Sequence, residues 1–68
     1  MNTSYDQAVA VLRRNIRETM ARAKRQDITG MSFDCLKADT PTTGLACSES
    51  VYNVAFQQAV REVASGIE

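Results

Sequence analysis

From Tyr5 to Ala23 the positions Tyr5, Val9, Leu12, Ile16, Thr19 and Ala23 follow one another at alternating steps of four and three, with Ala8 and Met20 beside them. That spacing gathers side chains on one face of a helix with 3.6 residues per turn, and strand alternation cannot produce it. The stripe therefore predicts a helix over about residues 5–26, coiled-coil-like for two to three heptads, interrupted by polar Thr19 and fading into Gln26. Ser4 followed three residues later by Gln7 matches a capping box, which sets the helix start at Tyr5.

A second stripe lies near the other end. Tyr52, Ala55, Phe56, Ala59, Val60, Val63 and Ala64 form a wide apolar face, preceded by Ser48 as N-cap with Glu49 in the first turn and followed by Gly66 as the left-handed C′ residue. Cys47 before the cap is placed to staple onto Tyr52. This predicts a helix over about 49–65. Between the stripes, residues 27–48 carry Gly30, Pro41 and Gly44, so the first helix must stop by about Asp27. Within this connection "MSFDCLKA" alternates like a strand yet also suits a short helix; a lone strand would have no partner, so a short helix or ordered loop is favoured.

Two amphipathic helices cannot enclose their apolar faces unaided, and a chain of 68 residues buries only about 60% of its unfolded surface. The expected architecture is an all-α helical hairpin in one small domain, paired with a second copy into a homodimeric four-helix arrangement. Its core and dimer contacts would be Val9, Leu12, Ile16, Met20, Tyr52, Phe56, Val60 and Val63. The N-terminal stretch lacks a basic segment followed by a continuous apolar run, and nothing approaches the roughly 20 apolar residues of a membrane span. A soluble cytoplasmic protein is expected. In that compartment Cys35 and Cys47 read as small buried hydrophobes rather than a disulfide.

Charge is segregated along the chain. Eight Lys and Arg balance eight Asp and Glu, for a formal net charge of zero. Yet residues 13–25 set six cations against the single acid Glu18, a net of +5, and the remainder sets Lys37 and Arg61 against seven acids, a net of −5. On a helical projection Arg13, Arg17 and Lys24 flank the apolar stripe, Arg14 and Arg25 sit further round, and Arg22 lies roughly opposite. Such a band is either a solvated face answering the acids of a neighbouring element or a surface for an anion.

Catalysis is not expected. Histidine is absent, so a nucleophile would need another base, and Cys47 beside Ser48 and Glu49 is only a sequence neighbourhood. The acids stand singly, without a Glu-x-x-His or paired-carboxylate spacing, and there is no CxxC; neither a metal nor a cofactor is expected.

Two stretches resemble known patterns. In "GMSFDCL", Gly30, Met31, Ser32 and Leu36 resemble the Gly-Ile-Ser-x-x-x-Leu turn of helix-turn-helix DNA-binding proteins, which would make "MARAKRQ" the preceding helix and Ser32 onward the recognition helix. The sequence departs from that pattern at Gln26, where a small residue is usual, and it sets Asp34 and Asp39 against Lys37 alone on the helix that would face phosphates. The favoured reading is a loop, with Gly30 closing the first helix. In "YNVAFQQAV", Tyr52, Asn53, Ala55, Ala59 and Val60 resemble a Tyr-Asn-x-Ala…Ala-Val pattern recurring near the C-termini of short phage and accessory-genome proteins. That resemblance implies a small regulator or host-directed inhibitor.

The leading expectation is a non-enzymatic regulator acting by protein–protein binding. Its contacts would come from Arg13, Arg17 and Lys24 and from Met31, Phe33 and Leu36. The alternative is an anion-binding module, for nucleic acid or a nucleotide second messenger, using Arg13, Arg14, Arg17, Arg22, Lys24 and Arg25.

Overall fold

In a computed structural model, residues 3–24 and 28–67 are described, and among them the regular structure is entirely helical. Helix α1 spans Tyr5–Arg22, a 3₁₀ turn Ile28–Gly30, helix α2 Phe33–Asp39 and helix α3 Glu49–Ala64.

The starts of α1 and α3 are those their caps dictate. The Gln7 amide donates to Ser4 Oγ at 3.3 Å, and the Ser4 amide donates to Gln7 Oε1 at 3.1 Å, completing the capping box. The Val51 amide donates to Ser48 Oγ at 3.3 Å. At the far end of α3, Gly66 has a φ of +78°, its amide donates to the Val63 carbonyl, and the Ile67 amide donates to Glu62. This is a complete Schellman motif, with glycine where the left-handed conformation costs least.

Helix α1 ends earlier than its stripe suggests. Ala23 is the C-cap and Lys24 has a φ of +57°, its amide donating to the Ala21 carbonyl. A lysine thus occupies the slot usually given to glycine. Gly30, expected to close this helix, instead ends the 3₁₀ turn. Arg25 and Gln26, the expected last residues of the helix, lie outside the described residues.

Helices α1 and α3 form the principal packing layer. Ala8, Val9, Leu12, Ile16 and Met20 meet Ala55, Phe56 and Ala59, with Ile28 and Leu36 from the intervening segment closing the core. Leu12, Ile16, Leu36 and Phe56 are fully buried, while Tyr52, Val60 and Val63 pack at its margin. Burial of a large apolar side chain is worth about 1.5–3 kcal/mol, so these four anchor the domain. The connection thereby supplies core residues that the hairpin expectation assigned to a second copy.

Three cross-links fix the sense of the long helices. The Thr3 amide donates to the Ala46 carbonyl at 2.8 Å, and the Ala46 amide returns a bond to Thr3 Oγ1 at 2.9 Å. Further along, Arg13 pairs with Glu62, and Arg17 donates to the Ile67 carbonyl. The partner numbers rise together, so α1 and α3 run in broadly the same direction, where a hairpin would oppose them. Residues 28–46, including α2, return the chain to its starting end.

That return is held by polar anchors. Asn15, 4% exposed, donates through Nδ2 to the carbonyls of Pro41 at 3.0 Å and Thr43 at 3.3 Å. Buried Thr40 donates to the Leu36 carbonyl at 2.7 Å, closing α2. Gly44, at φ +90°, turns the chain beneath Val11, and the Leu45 amide donates to the Thr42 carbonyl. Thr19 sits inside the core because its hydroxyl donates to the Asn15 carbonyl at 3.0 Å, which satisfies it within its own helix. Both cysteines are free; Cys47 is half-buried, and Cys35, expected in the interior, is exposed.

Candidate partner-binding surface

The basic band of α1 divides into residues that brace the fold and residues that face solvent. Arg13 pairs with Glu62 across the α1–α3 seam, with 21% and 17% of the two side chains exposed. Glu62 Oε2 also accepts from Gln58 Nε2 at 2.9 Å, so both carboxylate oxygens have partners. Arg17, half-buried, reaches the Ile67 carbonyl just beyond α3. Arg13 and Arg17 therefore answer groups of their own chain. A signal for this was present: Glu62 lies three residues after Ala59, toward the apolar face of α3, where an acid requires a cation.

Arg14 is different. Its side chain is 82% exposed, with only a 3.8 Å approach to Glu18 one turn on. Arg22 is exposed and donates to Thr19 Oγ1 at 3.4 Å, which puts it on the Asn15 and Thr19 edge of the helix rather than opposite the stripe. Lys24 is exposed on the left-handed residue beyond the helix, off the flank that helical projection assigned to it. Arg25 lies outside the described residues.

Of the expected apolar contacts, Leu36 is only 1% exposed and belongs to the core: in a seven-residue helix it is the single side chain directed fully inward. Met31 and Phe33 remain accessible. Phe33 is 42% exposed and stands edge-on against Phe56, with ring centroids 5.3 Å apart and planes at 83°. Phe56 in turn lies 6.0 Å from Tyr52. Lys37 Nζ sits 5.3 Å from the centre of the Tyr52 ring and donates to Asn53 Oδ1 at 2.6 Å. Burial pushes the Tyr52 phenol above its ordinary value of 10.0. Phe33 thus packs perpendicular to the core aromatic Phe56 while part of its ring stays open to solvent.

A separate open cleft of about 380 Å³ runs between α1 and α3, lined by Tyr5, Asp6, Val9, Arg13, Gln58 and Glu62. Its central polar groups, Arg13, Gln58 and Glu62, are engaged with one another. Among the described residues no buried side-chain nitrogen or oxygen lacks a hydrogen bond, and no cluster of three or more His, Cys, Asp or Glu side chains could hold a metal ion. No described helix is long and apolar enough to cross a membrane.

Neither a protein-family model, nor a curated protein, nor a solved structure matches this chain.

Proposed function

We propose that the chain is a small non-enzymatic regulator or inhibitor that works by binding another protein, and that it does so as a homodimer in the cytoplasm. The observation that carries the binding reading is the half-exposed Phe33 ring, packed perpendicular to the buried Phe56. A pre-positioned aromatic loses little conformational freedom on contact, which is why such residues dominate binding energy. The Tyr52-Asn53-x-Ala55 pattern favours a phage- or mobile-element-encoded modulator of a host protein.

Affinity purification from the native host tests this. The wild-type chain recovers a stoichiometric protein partner, and Phe33→Ala, with its helical signal retained, loses it. Recovery of the chain alone, or of the same proteins by both forms, overturns the reading.

A second reading, the anion-binding module, draws support from the exposure of Arg14, Arg22 and Lys24. It requires salt-sensitive retention of nucleic acid or a nucleotide that weakens when these three become Ala. The absence of any such retention at low salt removes it.

A further inference from the structure

Helix α2 is the element most weakly tied into the fold. Its seven residues fall short of the roughly 12–15 that an isolated helix needs to persist, and its N-cap Ser32 makes no side-chain bond to the helix, where Ser4 and Ser48 both do. Phe33, Asp34, Cys35, Ala38 and Asp39 are exposed, and Leu36 alone is fully buried. The chain on either side is fixed. Ile28 is buried in the core, Thr40 is buried, and Asn15 holds the carbonyls of Pro41 and Thr43. A short helix with one buried side chain, strung between two anchored ends, is the kind of unit that opens locally while the rest of the fold stays packed.

The way α2 is seated defines what lies beneath it. Phe33, Leu36 and Lys37 stand at i, i+3 and i+4, along one face of the helix. The Phe33 ring meets Phe56 with planes at 83°, and Leu36 enters the cluster that contains Leu12, Ile16 and Phe56. Lys37 Nζ lies 5.3 Å from the centre of the Tyr52 ring and donates to Asn53 Oδ1 at 2.6 Å. The layer of long helices thus offers a ring for a ring, an apolar slot for a leucine, and an aromatic face with an amide oxygen for a cation. We propose that α2 is a flap, and that when it lifts, the groove it leaves receives a helix of another protein carrying an aromatic residue, a leucine three positions on and a lysine or arginine one beyond that. Helix α2 is the occupant in cis, holding the groove closed until a helix of the same pattern replaces it. This site differs from the Phe33 contact of the closed form and does not rest on it.

Two measurements on the full chain test this. In native-state hydrogen exchange the amides of Leu36 and Thr40, which donate to the Ser32 and Leu36 carbonyls, exchange at least about 100-fold faster than the core amides of α1 and α3. Equal rates would mean that α2 leaves only when the whole molecule unfolds, and would overturn the flap. For the groove, the probe is a synthetic peptide with the sequence of residues 28–40, its cysteine replaced by serine, titrated into the protein and followed by NMR. In the wild type it competes with a tethered α2 whose effective concentration is on the order of millimolar, so it binds weakly. Leu36→Ala weakens that competitor, and the peptide then binds at least about tenfold tighter, shifting Tyr52, Asn53 and Phe56. A peptide whose own leucine is alanine does not bind. Binding to Leu36→Ala no tighter than to wild type, or shifts confined to other residues, overturns the groove. Should Leu36→Ala lose its helical signal, Lys37→Gln takes its place, giving up only the Tyr52 and Asn53 contacts for a gain of about threefold. Neither measurement needs a partner from the host, so the groove and the binding reading above can fail separately.

Discussion

Asn15 on α1 donates its side-chain amide to the main-chain carbonyl of Pro41 at 3.0 Å, across 26 positions of sequence. The Asn15 donor is almost fully buried, and the bond fastens the half-buried returning segment to the first helix. Truncation to Ala would leave the carbonyls of Pro41 and Thr43 without this donor and open space beside Thr19. Asn15→Ala is expected to cost about 1–3 kcal/mol, read as a lowered denaturant midpoint with little change in slope.

Lys24 holds a left-handed backbone conformation where its Cβ crowds the following carbonyl. Glycine has no such penalty. Lys24→Gly should therefore stabilise the fold by about 0.5–1 kcal/mol, a rise of roughly 2–8 °C in Tm for a domain of this size. A fall in Tm would mean that the lysine side chain contributes more than its backbone strain costs.

Gly44 presents the converse case. At φ +90°, with Val11 Cγ1 only 3.6 Å from where a Cβ would stand, the position suits glycine on conformational grounds more than on space. Gly44→Ala should cost about 1–2 kcal/mol by thermal unfolding, and Val11→Ala in the same background should not recover it.

Arg13 and Glu62 form a shielded pair whose value a double-mutant cycle can isolate. Arg13→Met, Glu62→Gln and the double variant should give a coupling of about 1 kcal/mol, larger than expected for the exposed Arg14 and Glu18 pair and less sensitive to salt. Equal couplings for the two pairs would contradict the difference in burial.

Tyr52 links stability to alkaline pH. Its phenol titrates higher in the folded chain than the ordinary value of 10.0, because burial penalises the phenolate. The folded state consequently holds this proton more tightly than the unfolded state. The associated stability is complete below pH 10 and declines as the pH rises from there through the folded value. The difference in unfolding free energy between wild type and Tyr52→Phe should be constant at neutral pH and shrink or reverse above pH 10; a pH-independent difference would contradict the burial argument.

The elements whose ends are set by side-chain chemistry were legible in the sequence. Ser4 with Gln7, Ser48 with Glu49, and Gly66 each announce a helix boundary, and the stripe through Leu12, Ile16 and Phe56 announces the packed face. The end of α1 was not legible, because a lysine in the left-handed slot carries no compositional mark and the apolar stripe runs past it. Nor was the role of Asn15: a polar residue at the edge of a stripe reads as surface until the carbonyls of a distant turn arrive to meet it. Which cations of the basic run answer a neighbouring element, one of its two readings, was hidden for the same reason. Arg13 and Arg17 look like a free surface when α1 is viewed alone, and their answering groups, Glu62 and Ile67, come from the far end of the chain.

The contact between Arg13 and Glu62 joins positions 49 residues apart. Because α1 and α3 run in the same direction, their interface cannot nucleate at a tight turn and zip outward, as an antiparallel pair would. The intervening chain must first be drawn into a closed loop, an entropic cost that precedes any reward from burying Phe56 against Leu12 and Ile16. For so short a helical chain folding should accordingly be slow, with the meeting of its two long helices as the late event and Asn15, by gathering in the loop, acting on the rate at which they find each other.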